Sequence, residues 1–152
     1  SMRLNLKGKL LFSLLALVTV LGLSSCVLGE NFIRPLEELS STQPVTAEQF
    51  INSNSEEVHV YVLYKPSCPV CKKFGKDIVD ELSVLPKEQY SVTNVADGIP
   101  EYYLTYFGEE VFKGIYTPYV IIARGSSVIY SERIESVDSL ANLRKSIISI
   151  ME

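Results

Sequence analysis

The sequence predicts an α/β domain, and three observations predict it. An apolar run of β-branched and aromatic residues, Val58–Tyr64, passes almost directly into a stretch over 74–82 where Phe74, Ile78, Val79 and Leu82 recur at helical spacing. Strand-like and helix-like stretches then keep alternating, giving the order α-β-α-β-α-β-β-α over residues 45–152. Finally, the chain has 152 residues, 47% apolar and 21% charged, which suits one domain with a buried core and excludes a disordered one.

Ahead of that domain the chain reads as a leader and a tether. Ser1 precedes Met2 and is set aside as an added residue. Arg3, Lys7 and Lys9 precede a 14-residue uncharged run over 10–23. That run is shorter than the roughly 20 apolar residues of a membrane span, and it matches the charged and apolar parts of a secretory signal. Leu23-Ser24-Ser25-Cys26 then resembles the lipobox of bacterial lipoproteins. The resemblance implies a signal peptide over 1–25 and a lipid on Cys26, which would anchor the chain to a membrane; the plain alternative is an ordinary signal or an uncleaved anchor with Cys26 incidental. From 27 to 44 there is no sustained periodicity, and Pro35, Ser40, Ser41, Thr42 and Pro44 fall within it. Residues 26–44 are therefore expected to be a lipid-anchored tether, with at most a helical turn around Leu36 and Leu39.

The domain is expected to begin near residue 45. Thr46, with Gln49 three residues on, forms a capping box that opens a short helix over 47–53, packing Phe50 and Ile51. Val58–Tyr64 is the first strand, and the helix after it ends near Leu85-Pro86. Residues 90–95 alternate as a second strand, and 97–100 is a turn. Residues 101–113 read as a helix carrying Tyr102, Tyr103, Tyr106, Phe107, Val111 and Phe112, closed by Gly114. A strand over 116–123 starts at a proline, 124–127 turns, and 128–134 returns as its hairpin partner. Val137–Met151 is a last helix with Leu140, Leu143, Ile147 and Ile150 in one stripe.

Charge narrows the function. The formal net charge is −4, and without the three basic residues of the leader the remaining 11 basic residues face 18 acidic ones, a net −7. An acidic domain with no basic stripe argues against a nucleic-acid partner, and no Gly-rich phosphate loop is present.

The chemistry concentrates in Lys65-Pro66-Ser67-Cys68-Pro69-Val70-Cys71-Lys72-Lys73. Two cysteines, two residues apart, stand where a strand hands over to a helix. The thiolate is the reactive form of cysteine, and the unpaired N–H groups and dipole of a first helical turn favour it. Pro69 suits that turn because it lacks an N–H that would go unpaired there. Cys68 is thus the candidate nucleophile and Cys71, one turn on and more covered, the candidate resolving thiol. Lys65, Lys72, Lys73 and Lys76 either favour the thiolate or form an ordinary solvated face. A structural zinc site needs four ligands, yet the chain has one histidine, His59, and no second cysteine pair. A c-type haem site needs a histidine after the second cysteine, where Lys72 stands. His59 lies within a β run and reads as a hydrogen-bonded core residue.

The Cys-Pro-Val-Cys at a strand–helix junction, with Thr117-Pro118 placing its proline 47 residues after Cys71, resembles the thioredoxin superfamily over residues 45–152. The resemblance implies a thioredoxin-like fold, a central mixed β-sheet flanked by helices. It implies that Pro118 is cis and lies against the cysteines, and that the backbone of Thr117 pairs with a substrate chain as an added strand. Pro69 and Val70 shape the active turn, and Tyr116 and Tyr119, flanking Thr117-Pro118, are candidate substrate-binding residues. Several of the other tyrosines read as core. Departures from the family pattern bear on mechanism. Ser67 stands where many thioredoxins have Trp, Pro-Val replaces Gly-Pro between the cysteines, and Val62 replaces a buried acid thought to take the proton of the second thiol.

The expected function is an extracytoplasmic, lipid-anchored thiol-disulfide oxidoreductase acting on exported proteins that bear thiols or disulfides, or on a redox partner in the membrane. It would work as a monomer and need no cofactor, because the dithiol is the redox group. The direction of electron flow stays open, since the family spans roughly −270 to −120 mV. The alternative is a non-catalytic binding module, an accessory to secretion or bacteriocin production, with a structural disulfide.

Overall fold

In the computed structural model, which describes residues 31–152, four strands form one sheet: β1 (Val58–Tyr64), β2 (Tyr90–Asn94), β3 (Tyr119–Arg124) and β4 (Ser127–Arg133). The predicted signal segment and Cys26 lie outside the described residues. Across the sheet the order is β2-β1-β3-β4. β1 runs parallel to β2 and antiparallel to β3, and β3 and β4 form a hairpin, so the sheet is mixed.

Period-two alternation along β1 sends side chains into two cores. Val60, Val62 and Tyr64 face one, and Tyr61 and Leu63 face the other. Because both faces are covered, β1 reads as a continuous apolar run instead of an alternating one. The first face is covered by α1 (Ile33–Thr42), α3 (Pro69–Leu82) and α5 (Val137–Met151); α2 (Ala47–Asn52), α4 (Glu101–Phe107) and Phe112 cover the second. The predicted capping box is present: Thr46 Oγ1 accepts the Gln49 N–H at 3.2 Å, and Gln49 Oε1 accepts the Thr46 N–H at 3.0 Å.

The segment expected to be a tether folds instead. α1 buries Ile33 and Leu36 in the first core, and the Phe32 N–H donates to the Lys72 carbonyl at 2.6 Å. Gly75 of α3 makes this seat possible. A Cβ there would collide with the Phe32 carbonyl oxygen and press on Leu36 Cδ1 at 3.2 Å. Just past α1, the Gln43 side chain binds the outer edge of β2. Its Nε2 donates to the Val92 carbonyl at 2.9 Å and its Oε1 accepts the Val92 N–H at 2.8 Å. The folded unit therefore begins at Phe32, not near residue 45.

Other boundaries also move. The helix expected over 101–113 breaks at Gly108, whose φ of +89° suits glycine. A 3₁₀ turn, Glu109–Phe112, follows, and the break lets Tyr103 and Phe112 enter the same core. The third strand starts at Tyr119, three residues later than expected. In the hairpin Ile122 pairs with Tyr130 and Ala123 with Val128, leaving Ile129 as a bulge.

Candidate active site

Cys68 is the N-cap of α3, with Pro69 at its first position. Its Sγ accepts the N–H of Cys71 at 3.2 Å, the bond an N-cap side chain ordinarily makes. The Cys68 thiol donates to the Thr117 carbonyl at 3.4 Å. Cys68 is half-buried and Cys71 fully buried, and both are thiols.

The two thiols are set apart electrostatically. Burial alone would raise Cys68, but hydrogen bonds from the Cys71 thiol, from Thr117 and from the Cys71 and Val70 backbone together hold it below the usual thiol value. Cys71 is pushed up to about 12, first by burial and then by the neighbouring Cys68. Lysines are absent from the groups that shift Cys68. Lys76 instead pairs with Asp80 at 3.2 Å in solvent, and Lys73 lies over the Phe74 ring at 5.5 Å, so the solvated-face reading fits both. Val62 is fully buried at the position where the family resemblance implies a proton-accepting acid, and none of the groups acting on Cys71 is a carboxylate.

The Thr117–Pro118 peptide is cis and both residues are buried. The Thr117 carbonyl is shared between the Cys68 thiol and Arg133 Nε, the latter at 3.0 Å. Arg133 reaches there from the end of β4, lies over the Tyr116 ring at 5.5 Å, and pairs through Nη1 with Glu135 at 2.8 Å. An open groove of about 370 Å³ runs over Cys68 and Pro69, with Ile99 and Ile115 among its apolar walls and Lys65, Tyr116 and Arg133 also lining it.

The structure thus gathers Cys68, Pro69, Tyr116 and Thr117 along one groove, with Cys71 buried one turn behind Cys68. Val70 packs against the first core. Tyr119 does not join the groove; strand parity turns it to the second face, beside Ile121 and Ala123. Arg133 was not singled out from sequence, because a charged residue ending a hairpin strand carries no local signal of a partner 16 residues upstream. His59 is fully buried, stacked on Phe50 at 3.8 Å between ring centroids. Its Nε2 lies 2.7 Å from Ser91 Oγ, which itself donates to the Val45 carbonyl, so Nε2 is assigned the proton. Burial lowers His59 to about 4. Among the described residues no group of three His, Cys, Asp or Glu is placed to hold a metal.

No protein-family model and no curated protein sequence matches the chain. Solved structures do. A thioredoxin from Trypanosoma brucei brucei superposes with a TM-score of 0.52 at 19% identity, over 72% of this chain and 93% of that one. The Malassezia sympodialis thioredoxin gives 0.51 at 18%, over 70% and 87%. Mitochondrial thioredoxin 3 of Saccharomyces cerevisiae, in its oxidized form, gives 0.50 at 15%, over 68% and 90%. The chain has a thioredoxin-like fold. Within this thioredoxin-like fold the cysteine pair opens α3 after the central strand, and the cis-proline leads into β3. At these identities the likeness concerns the fold, and the chemistry rests on the site itself.

Proposed function

We propose that this chain is a thiol-disulfide oxidoreductase held at the outer face of a membrane by a lipid on Cys26. The carrying observation is the unequal pair: Cys68 at the helix N-cap, half-buried, its Sγ accepting the Cys71 N–H, with Cys71 fully buried one turn behind it. In the reductive direction the Cys68 thiolate attacks one sulfur of a substrate disulfide. A Cys68–substrate disulfide forms and the other substrate sulfur leaves as a thiolate. Cys71 then loses its proton and attacks Cys68 Sγ, closing the Cys68–Cys71 disulfide and releasing the second substrate thiol. The protein loses two electrons and two protons, and both reside on the released thiols. The oxidative direction is the reverse. The extracytoplasmic location, and with it exported proteins or a membrane redox partner as the other reactant, is supported by the basic and apolar leader and by the lipobox-like Leu23-Ser24-Ser25-Cys26.

The test is equilibration of the chain in glutathione and dithiothreitol buffers, with Cys68→Ser and Cys71→Ser alongside. A reversible potential within roughly −270 to −120 mV sets the direction of electron flow. Cys71→Ser should accumulate mixed disulfides and Cys68→Ser should form none. Full exchange activity in Cys68→Ser, or a pair that never cycles, sinks the oxidoreductase reading in favour of a binding module.

A further inference from the structure

The groove beside Cys68 inverts the charge of the domain around it. The chain beyond the leader carries a net −7, yet the charged residues lining this groove are Lys65 and Arg133, with no carboxylate among them. Arg133 is held in place rather than free to wander. Its Nε is fixed on the Thr117 carbonyl, the same oxygen that the Cys68 thiol reaches, and its guanidinium lies over Tyr116. Such anchoring presents the planar fork in one orientation, the arrangement that suits a carboxylate. Glu135 occupies Nη1 and is itself half-exposed, while Nη2 makes no hydrogen bond to the described residues. Glu135 thus marks what the fork binds, and it sits where water or another carboxylate can replace it. Ile99 and Ile115 give the same groove an apolar wall.

We infer that this groove selects an extended protein segment whose cysteine is flanked by an acidic residue, with Arg133 and Lys65 as the specificity-determining residues. The inference rests on the oxidoreductase reading above and names its substrate class. The acidic side chain meets the Arg133 fork beside the reacting sulfur, and an apolar neighbour of the substrate cysteine lies along Ile99 and Ile115. Because the Arg133 Nε already fills the Thr117 carbonyl, a substrate strand pairing there must first displace it, and a carboxylate on the substrate gives the displaced guanidinium a partner.

The experiment uses the reduced full chain and three peptide disulfide homodimers, identical except for Glu, Gln or Lys next to cysteine. Acid-quenched samples are chromatographed to count the two peptide thiols released per protein dithiol oxidised. Each rate is divided by that of dithiothreitol on the same peptide, which removes the effect of the neighbour on the disulfide itself. The Glu peptide should outrun the Lys peptide by roughly fivefold at low salt, and the ratio should fall as salt screens it. Arg133→Gln should bring the ratio towards one, and Glu135→Gln, which releases the fork, should raise it. A ratio near one in the parent chain, or one that Arg133→Gln leaves intact, overturns the substrate class while leaving the oxidoreductase reading standing. Glutathione disulfide, acidic but without an apolar neighbour, reacting as fast as the Glu peptide would overturn the assignment to a protein segment. No release from any disulfide that dithiothreitol reduces, together with no oxidation of the matching peptide thiols by the disulfide form of the chain, overturns both readings.

Discussion

Gly75→Ala tests whether the chain ahead of residue 45 is part of the fold. The added methyl lands on the Phe32 carbonyl oxygen, a backbone atom that cannot rotate away, and presses on Leu36, which is fully buried. Overpacking of this kind costs about 2 kcal/mol. Lifting α1 also breaks the Phe32–Lys72 backbone bond, worth about 1 kcal/mol net. Against this, alanine is about 1 kcal/mol better than glycine inside a helix. The net is a loss of about 2 kcal/mol, or roughly 6–10 °C in Tm for a domain of this size. Thermal unfolding of parent and variant, followed by circular dichroism at 222 nm, reads the difference. Were α1 a loose tether, only the helix-propensity gain would remain. A variant as stable as its parent, or more so, would refute the seating of α1 on α3.

Three further outcomes are expected. At pH 7 iodoacetamide should modify Cys68 of the reduced chain and spare Cys71, whose thiolate fraction is roughly 10⁻⁵ for a thiol near 12; peptide masses that show Cys71 reacting within tenfold of Cys68 would contradict the site geometry. His59 has a folded pKa near 4, below the 6.5 of an unfolded histidine, so the unfolded chain binds the extra proton between those values. Its contribution is full above about pH 6.5 and is lost towards pH 4, about 2–3 kcal/mol by pH 4.5. Urea midpoints should show a shallower acid loss in His59→Phe, which keeps a ring against Phe50; parallel curves would count against a neutral buried His59. Gln43→Ala strips the Val92 N–H of its partner and leaves the Val92 carbonyl with the Ser40 hydroxyl alone. It should cost about 1–3 kcal/mol and speed hydrogen exchange at the Val92 amide, and an unchanged exchange rate there would show that the Gln43 bond does not protect that amide.

What was legible in the sequence was what local pattern determines. The β-branched run of β1, the capping box at Thr46 and the final stripe of Leu143 and Ile147 each depend on neighbours a few residues away, and they stand where expected. Cys68, Pro69 and Cys71 were readable for the same reason, since a strand–helix junction dictates their arrangement. α1 was not. Its buried pair, Ile33 and Leu36, makes one short stripe interrupted by Pro35 and followed by Ser40, Ser41 and Thr42, and what holds it is Gly75, far along the chain. The break at Gly108 was hidden because the aromatic residues on both sides serve the same core. Arg133 and Tyr119 failed in complementary ways. Arg133 gains its place from a hairpin that folds its strand end back onto Thr117, and Tyr119 loses its place to strand parity, which a motif-centred reading of Tyr116 and Tyr119 ignores.

A glutamine amide offers an N–H donor beside a C=O acceptor in the same spacing as a peptide group, with a second N–H to spare. Gln43 uses that likeness to close the sheet: a single side chain takes the part of a neighbouring strand at Val92 and ends the ladder there. A stranger chain seeking to extend the sheet on that side would have to evict both bonds and the Ser40 hydroxyl that shares the Val92 carbonyl. The opposite margin is guarded otherwise, by the Ile129 bulge, which throws the β4 backbone out of register for any flat partner. One border is sealed by mimicry and the other spoiled by irregularity, so the chain protects itself from edge-to-edge assembly without the outer strand that a longer sheet would need.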